Sequence, residues 1–180
     1  VSGAMIDASA LPYEENVALT HRVVETAAAV GVQVEGELGH IGSVNDNAMD
    51  EFTNPAQAAD FAQKTGVAAL AVLVGNAHGR YKKPPKLDIA RIAEISEATG
   101  HLPLVLHGGT GIPDDQIVAA VKAGIRKINF GTDVCYSFLD AVFATSRDKV
   151  AIDLFMKDAI AAVKAFALTK IRLLGAENQA

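Results

Sequence analysis

Two histidines in this sequence stand in matching surroundings. His78 comes shortly after the apolar run 69–74 and His107 directly after 104–106, and each histidine is followed at once by glycine. Runs this short suit strands buried on both faces of a parallel sheet, and the carboxyl ends of such strands are where α/β folds gather their chemistry. Adjacent strand ends lie ~5 Å apart, so the two imidazoles can converge on one ion. Neutral imidazoles suit zinc or a similar transition metal. Two ligands are too few for a stable site, so a third has to come from elsewhere. Of the remaining histidines, His21 falls on a helix and His101 precedes a strand at the opposite end. His40 follows the strand 32–38, in a stretch that reads as a mobile loop. A lone histidine reads more readily as a structural or solvated side chain than as a ligand; two at matching strand ends reverse that preference.

Glu35 and Glu37 share a parity on the strand 32–38, so both carboxylates point to one face. On an interior face an unpaired carboxylate is costly, which implies a metal, a lysine or an arginine beside them. On an exposed face they need no partner, and both readings fit the pattern. After His107 come Gly108, Gly109, Thr110 and Gly111, then Pro113, Asp114 and Asp115. The glycines let the backbone turn sharply and offer bare N–H groups, while proline and two acids open a helix. Asn129, Gly131 and Thr132 end the next strand in the same manner. The two turns together suit a phosphate, with Thr110 and Thr132 adding hydroxyls. Lys82 and Lys83, close after His78, either steer an anionic substrate or lie in a solvated loop.

The elements that must position these groups alternate regularly. Strands are predicted at 2–6, 32–38, 69–74, 104–106 and 125–130, with helices at 14–30, 55–65, 88–99 and 113–123 between them. Gly31, Gly66 and Gly124 stand at helix ends, and Asn54-Pro55 is a cap followed by proline at the first helical position. Residues 134–174 read as helical with a break near Ser146, and 39–51 as a loop rich in Gly, Ser, Asn and Asp. Five βα units of roughly 30 residues imply a parallel sheet with outer helices. Each later strand closes in small residues carrying one polar group, as a (βα)₈ barrel builds its active face. Such a barrel needs eight strands and typically ~250 residues. The expectation is therefore an arc of a barrel whose first strands lie upstream of Val1.

Composition narrows the partners. The chain has 180 residues, half of them hydrophobic and 21% charged, with a net charge of −5 and no basic run. Nucleic acid and anionic membrane are poor fits to that balance. The single cysteine, Cys135, excludes an intrachain disulfide and a thiolate zinc site and suits a cytoplasmic location. No apolar stretch reaches membrane-spanning length.

With these residues in view, the sequence resembles the class II, metal-dependent ketose-bisphosphate aldolases. The matching pieces are Met5-Ile6-Asp7-Ala8-Ser9, Val34-Glu35-Gly36-Glu37-Leu38-Gly39, Asn76-Ala77-His78-Gly79-Arg80-Tyr81-Lys82, the segment 106–113, Lys127-Ile128-Asn129-Phe130-Gly131-Thr132-Asp133 and the ending 170–175. They run in family order over nearly the whole chain. The resemblance implies a (βα)₈ barrel, of which residues 1–180 form a single domain, its C-terminal portion, in homodimers or homotetramers. It implies a zinc cofactor, with a monovalent cation as a further candidate. His78 and His107 match two of three histidine ligands, and Glu37 matches a carboxylate that holds the metal in an alternative position. Gly79, Gly108, Gly109, Thr110, Gly131 and Thr132 fall where the family binds phosphate. Asn129 matches the asparagine that contacts the dihydroxyacetone-phosphate part of the substrate. The implied reaction is Lewis-acid-assisted removal of a C1 proton and aldol addition to an aldehyde, run in either direction.

Two departures stand out. The Asp-His-Gly-like segment that supplies a catalytic aspartate and the third histidine in the family has no counterpart here. The loop after the Glu35–Glu37 strand reads Gly42-Ser43-Val44-Asn45-Asp46, with asparagine where the family carries a catalytic glutamate. An amide cannot act as a general base, which turns attention to Asp46, Asp50 or Glu51. A non-catalytic relative that binds sugar phosphate or a protein partner is the alternative reading, and a metal-free phosphate-binding barrel enzyme a third.

Overall fold

The computed structural model describes residues 1–41, 52–79, 81 and 85–179. Its elements alternate in chain order as β1 (Gly3–Met5), α1 (Tyr13–Ala28), β2 (Gln33–Leu38), α2 (Pro55–Thr65), β3 (Ala69–Val72), α3 (Ile89–Ala98), β4 (Leu104–Leu106), α4 (Asp114–Ala123) and β5 (Ile125–Ile128). Two further helices, α5 (Thr132–Ala144) and α6 (Ile152–Leu173), follow. The five strands pair in sequence order, β1-β2-β3-β4-β5, and every pair is parallel. A parallel sheet built of consecutive βα units is a half-barrel, the architecture the alternation predicts. Contacts divide the chain into two compact units, Val1–Asn129 and Phe130–Ala180.

In the first unit β2 shows how one strand serves two faces. Gly36 turns toward the helices, where a Cβ would come within 3.0 Å of Val67, 3.2 Å of Phe61 and 3.3 Å of Thr20. That close approach lets α1 and α2 lie on the strand and seals Phe61 completely. Glu35 and Glu37, of opposite parity to Gly36, therefore point to the other face. Behind the remaining strands Ile92 and Ile95 of α3 and Ile117 of α4 are fully buried, as are Leu104 and Leu106 of β4. Burying each such side chain contributes on the order of 1.5–3 kcal/mol.

Local signals set the helix ends. Asn54 Oδ1 accepts from the N–H groups of Ala56 (2.9 Å) and Gln57 (3.2 Å), with Pro55 next in line, and Gly66 closes α2 at φ 71°. Gly31 closes α1 in a Schellman arrangement: Val32 N donates to Ala27 O and Gly31 N to Ala28 O, at φ 70° for the glycine. The sequence extends β3 to residue 74, yet the ladder stops at Val72. The reason lies in side chains that take over the backbone donors: Leu73 N donates to Thr53 Oγ1 (2.9 Å) and Val74 N to Asn76 Oδ1 (2.8 Å).

In the second unit α5 and α6 pack on each other, and the predicted break near Ser146 separates them. Phe130 meets Phe166 edge-on at 6.2 Å, with Lys170 Nζ 5.3 Å from the Phe130 ring centre. Phe143, Val150 and Ile152 are exposed.

Candidate metal and sugar-phosphate site

The carboxyl ends of the strands bring together the groups that sequence singled out on separate segments. His107, directly after β4, is almost wholly buried, and each ring nitrogen faces a carboxylate of β2. Nε2 lies 2.9 Å from Glu35 Oε1 and Nδ1 3.0 Å from Glu37 Oε2. Only a doubly protonated ring donates from both nitrogens. The two glutamates accordingly raise the His107 pKa to about 9, Glu35 first, against the opposing effect of burial. Glu35 has a second cation: Lys127 Nζ of β5 donates to its Oε2 at 2.7 Å. Burial works against the Glu35 carboxylate, but the hydrogen bonds from His107 and Lys127 outweigh it and hold its pKa below the usual range. The face is interior, and the carboxylates have the basic partners that burial demands.

Glu37 is served differently. Its Oε1 accepts from Ser9 Oγ at 3.0 Å, and that hydroxyl also lies 2.7 Å from Asp7 Oδ1 and 3.4 Å from His40 Nδ1. His40, the loop histidine, therefore stands on the Glu37 side of the cluster. Asp7 is held below its ordinary pKa: burial opposes this, while the Ser9 hydrogen bonds and the nearby histidines prevail.

His78 lies with its ring centre 5.9 Å from that of His107, the planes tilted by 46°. Two imidazoles on one tetrahedral ion, with Zn–N of ~2.0–2.1 Å, would place their ring centres roughly 5 Å apart. The observed spacing is near that value and the donors have the right chemistry, while both nitrogens of His107 are engaged by carboxylates. Among the described residues no group of three or more His, Cys, Asp or Glu is disposed to hold a metal ion.

The turns carrying the two histidines are fastened to each other by side chains. Asn76 Nδ2 donates to His107 O at 3.1 Å from a buried position. The Tyr81 hydroxyl accepts from Ala77 N at 2.6 Å and lies 3.0 Å from Ala77 O and 3.2 Å from Gly108 O. Gly108 sits at φ 65°, where a Cβ would fall 2.0 Å from Ala77 O. No other residue fits there. Thr110 is buried in the same turn. The Gly109 N–H donates to Asn129 O at 2.9 Å, so that amide serves the β4–β5 connection rather than a ligand. The Asn129 side chain is exposed. Gly79 follows His78 at φ 106°. Gly131 and Thr132 belong to the second unit, where they start α5. Asp46, Asn45, Asp50, Glu51, Lys82 and Lys83 lie outside the described residues.

Sequence reasoning foresaw a basic partner for the glutamates but did not name Lys127, and it assigned no role to Ser9, Asn76 or Tyr81. Lys127 of β5 could have been found from its parity with Asn129, just past the end of that strand. Asn76 and Tyr81 carry no such local signal.

Comparison with known proteins places these features in context. The family model for class-II fructose-bisphosphate aldolase matches residues 1–179. The YdjI protein of Escherichia coli K12 is 39% identical over 186 residues, covering 100% of this chain and 65% of that protein. The D-tagatose-1,6-bisphosphate aldolase subunit GatY of Klebsiella oxytoca is 40% identical, covering 99% of this chain and 66% of its own. The fructose-bisphosphate aldolase of Geobacillus stearothermophilus is also 40% identical, at 99% and 64% coverage. Among solved structures, the YdjI aldolase crystal structure superposes with a TM-score of 0.88 at 37% identity, covering 100% of this chain and 63% of that one. The chain thus spans slightly less than two thirds of the length of these relatives.

Proposed function

This chain belongs to the class-II fructose-bisphosphate aldolase family, and on that premise we propose that the protein cleaves a ketose phosphate or bisphosphate reversibly. The products would be dihydroxyacetone phosphate and an aldehyde. The observation that carries this reading is the meeting of His78 and His107 at neighbouring strand ends, 5.9 Å between ring centres, against the paired carboxylates of β2. His78 and His107 would hold a divalent transition metal, zinc first, with a third protein ligand from beyond these residues and Glu37 able to approach the ion. When bound, such an ion supplies Lewis-acid polarisation of the substrate's ketone and hydroxyl oxygens.

The chain's own residues bind and orient the substrate. Asn129 would contact the dihydroxyacetone-phosphate portion, and Gly79, Gly108 and Thr110 would cradle its phosphate. Gly131 and Thr132 are assigned to phosphate by their place in the family motif. Asp46 is the proton acceptor proposed in the loop where asparagine replaces glutamate. The substrate is a small sugar phosphate, and the protein would act in the cytoplasm as a homodimer or homotetramer. No helix of the described residues is long and apolar enough to cross a membrane.

The test is turnover of fructose and tagatose 1,6-bisphosphates by the intact protein, with and without chelator and with zinc restored. Cleavage that a chelator abolishes, zinc restores and His107→Ala removes is the expected result; full activity in His107→Ala would refute the reading. Asn45 favours one second reading, a sugar-phosphate-binding relative without catalysis. It would show as saturable binding of the bisphosphates with no turnover.

A further inference from the structure

His107 is gripped by a carboxylate at each nitrogen, and the two carboxylates are not equivalent. Glu35 is tied on its far oxygen to Lys127 at 2.7 Å, so it keeps a cation whatever His107 does. Glu37 is only 1% exposed, and its other oxygen has the Ser9 hydroxyl at 3.0 Å and the Ile41 N–H at 3.4 Å, both neutral groups. Among the described residues, the one basic group in contact with it is the His107 ring.

We infer that Glu35, anchored by Lys127, is the positioning residue that keeps the proton of His107 on Nε2, so that Nδ1 is the nitrogen presented to a metal and Glu37 is the carboxylate that gives way. This deepens the metal-dependent reading above and rests on it. The argument is one of charge. A dication at Nδ1 leaves a neutral imidazole donating Nε2–H to Glu35, which Lys127 already neutralises, and gives buried Glu37 a cation in place of the one it loses. A dication at Nε2 would leave Glu37 facing a neutral ring, a buried carboxylate with no counterion among the described residues. Orientation of a ligating histidine through a carboxylate on its other nitrogen is a common device for fixing the tautomer. Here the lysine behind the carboxylate holds that partner in place.

Long-range ¹⁵N–¹H spectra of histidine-labelled intact protein, loaded with zinc, read the tautomer directly. The expected result is a proton on Nε2 of His107 and a metal-shifted Nδ1. Zinc affinity measured by chelator competition should fall roughly 10- to 100-fold in Glu35→Gln. It should also fall in Lys127→Met and largely recover in Lys127→Arg. A proton found on Nδ1 of the loaded protein, or wild-type zinc affinity in Glu35→Gln, overturns the inference while leaving the metal site standing. Failure of the wild-type protein to take up zinc at all would instead remove the metal-dependent reading, and this inference with it.

Discussion

Replacing Gly108 by alanine should unseat both histidine turns at once. Two separate costs can be worked out. The first is conformational: Gly108 lies at φ 65°, and an L-residue held in the left-handed region costs roughly 1–2 kcal/mol. The second is steric, because the added Cβ would lie 2.0 Å from Ala77 O and 2.7 Å from Ala77 C, both backbone atoms. Restoring an ordinary contact needs the turns to part by about an ångström, on the scale at which hydrogen bonds are lost. The bonds that span this gap are Asn76 Nδ2 to His107 O at 3.1 Å and Tyr81 Oη to Gly108 O at 3.2 Å. Losing both adds about 1 kcal/mol each, more where a buried group is orphaned. The total is on the order of 3–5 kcal/mol, and zinc affinity should fall with it because His78 and His107 move apart. Gly100→Ala isolates the first cost: its φ is 65° too, but nothing lies within 4 Å of the added Cβ. Urea unfolding of the intact protein followed by circular dichroism, beside a zinc competition assay, makes the comparison. Equal losses in the two variants would show that the turns do not approach as closely as described.

Other consequences can be measured in the same protein. His107 has its pKa raised to about 9 from an ordinary 6.5, so the stabilisation it provides without metal is complete below about pH 6.5. It should be lost as pH rises through 9, a decline of about 3 kcal/mol by linkage. Urea midpoints at pH 6 and 9.5 should therefore diverge in metal-free wild type and converge in His107→Gln; a flat wild-type profile would contradict the ion cluster. Tyr81→Phe removes the hydroxyl shared by Ala77 and Gly108 and should destabilise by about 1–3 kcal/mol while weakening zinc binding. Unchanged zinc affinity in that variant would show that the hydroxyl does not set the histidine spacing.

Much of the fold was legible because the deciding signals are local. Asn54-Pro55 and Gly66 bracket α2, Gly31 ends α1, and the short apolar runs became parallel strands in sequence order. The basic partner of Glu35 was legible as one of two readings: strand parity puts Glu35 and Glu37 on one face, and only if that face is interior does burial demand a metal, lysine or arginine. What stayed illegible depends on residues far apart in the chain. Val72 ends β3 because Thr53 and Asn76 take the next two N–H groups; Asn76 is a near neighbour, but Thr53 stands 20 residues away and nothing near residue 73 announces it. The commitment of the Gly109 amide to Asn129 is likewise a tertiary fact. Glycine-rich turns advertise bare donors, but sequence cannot say which of them the backbone consumes.

The pairing of β3 with β4 runs only through Leu70↔Leu104 and Ala71↔Val105, well short of His78. Beyond that pairing, the side chains of Asn76 and Tyr81 fasten the turn that carries His78 to the one that carries His107. A fixed lattice of strands ordinarily dictates where side chains at its rim can stand; here that rim has its own adjustable clasp. Evolution or an engineer could alter the spacing of the histidine pair through these two positions while leaving every strand untouched. The scaffold and the aperture are separate variables.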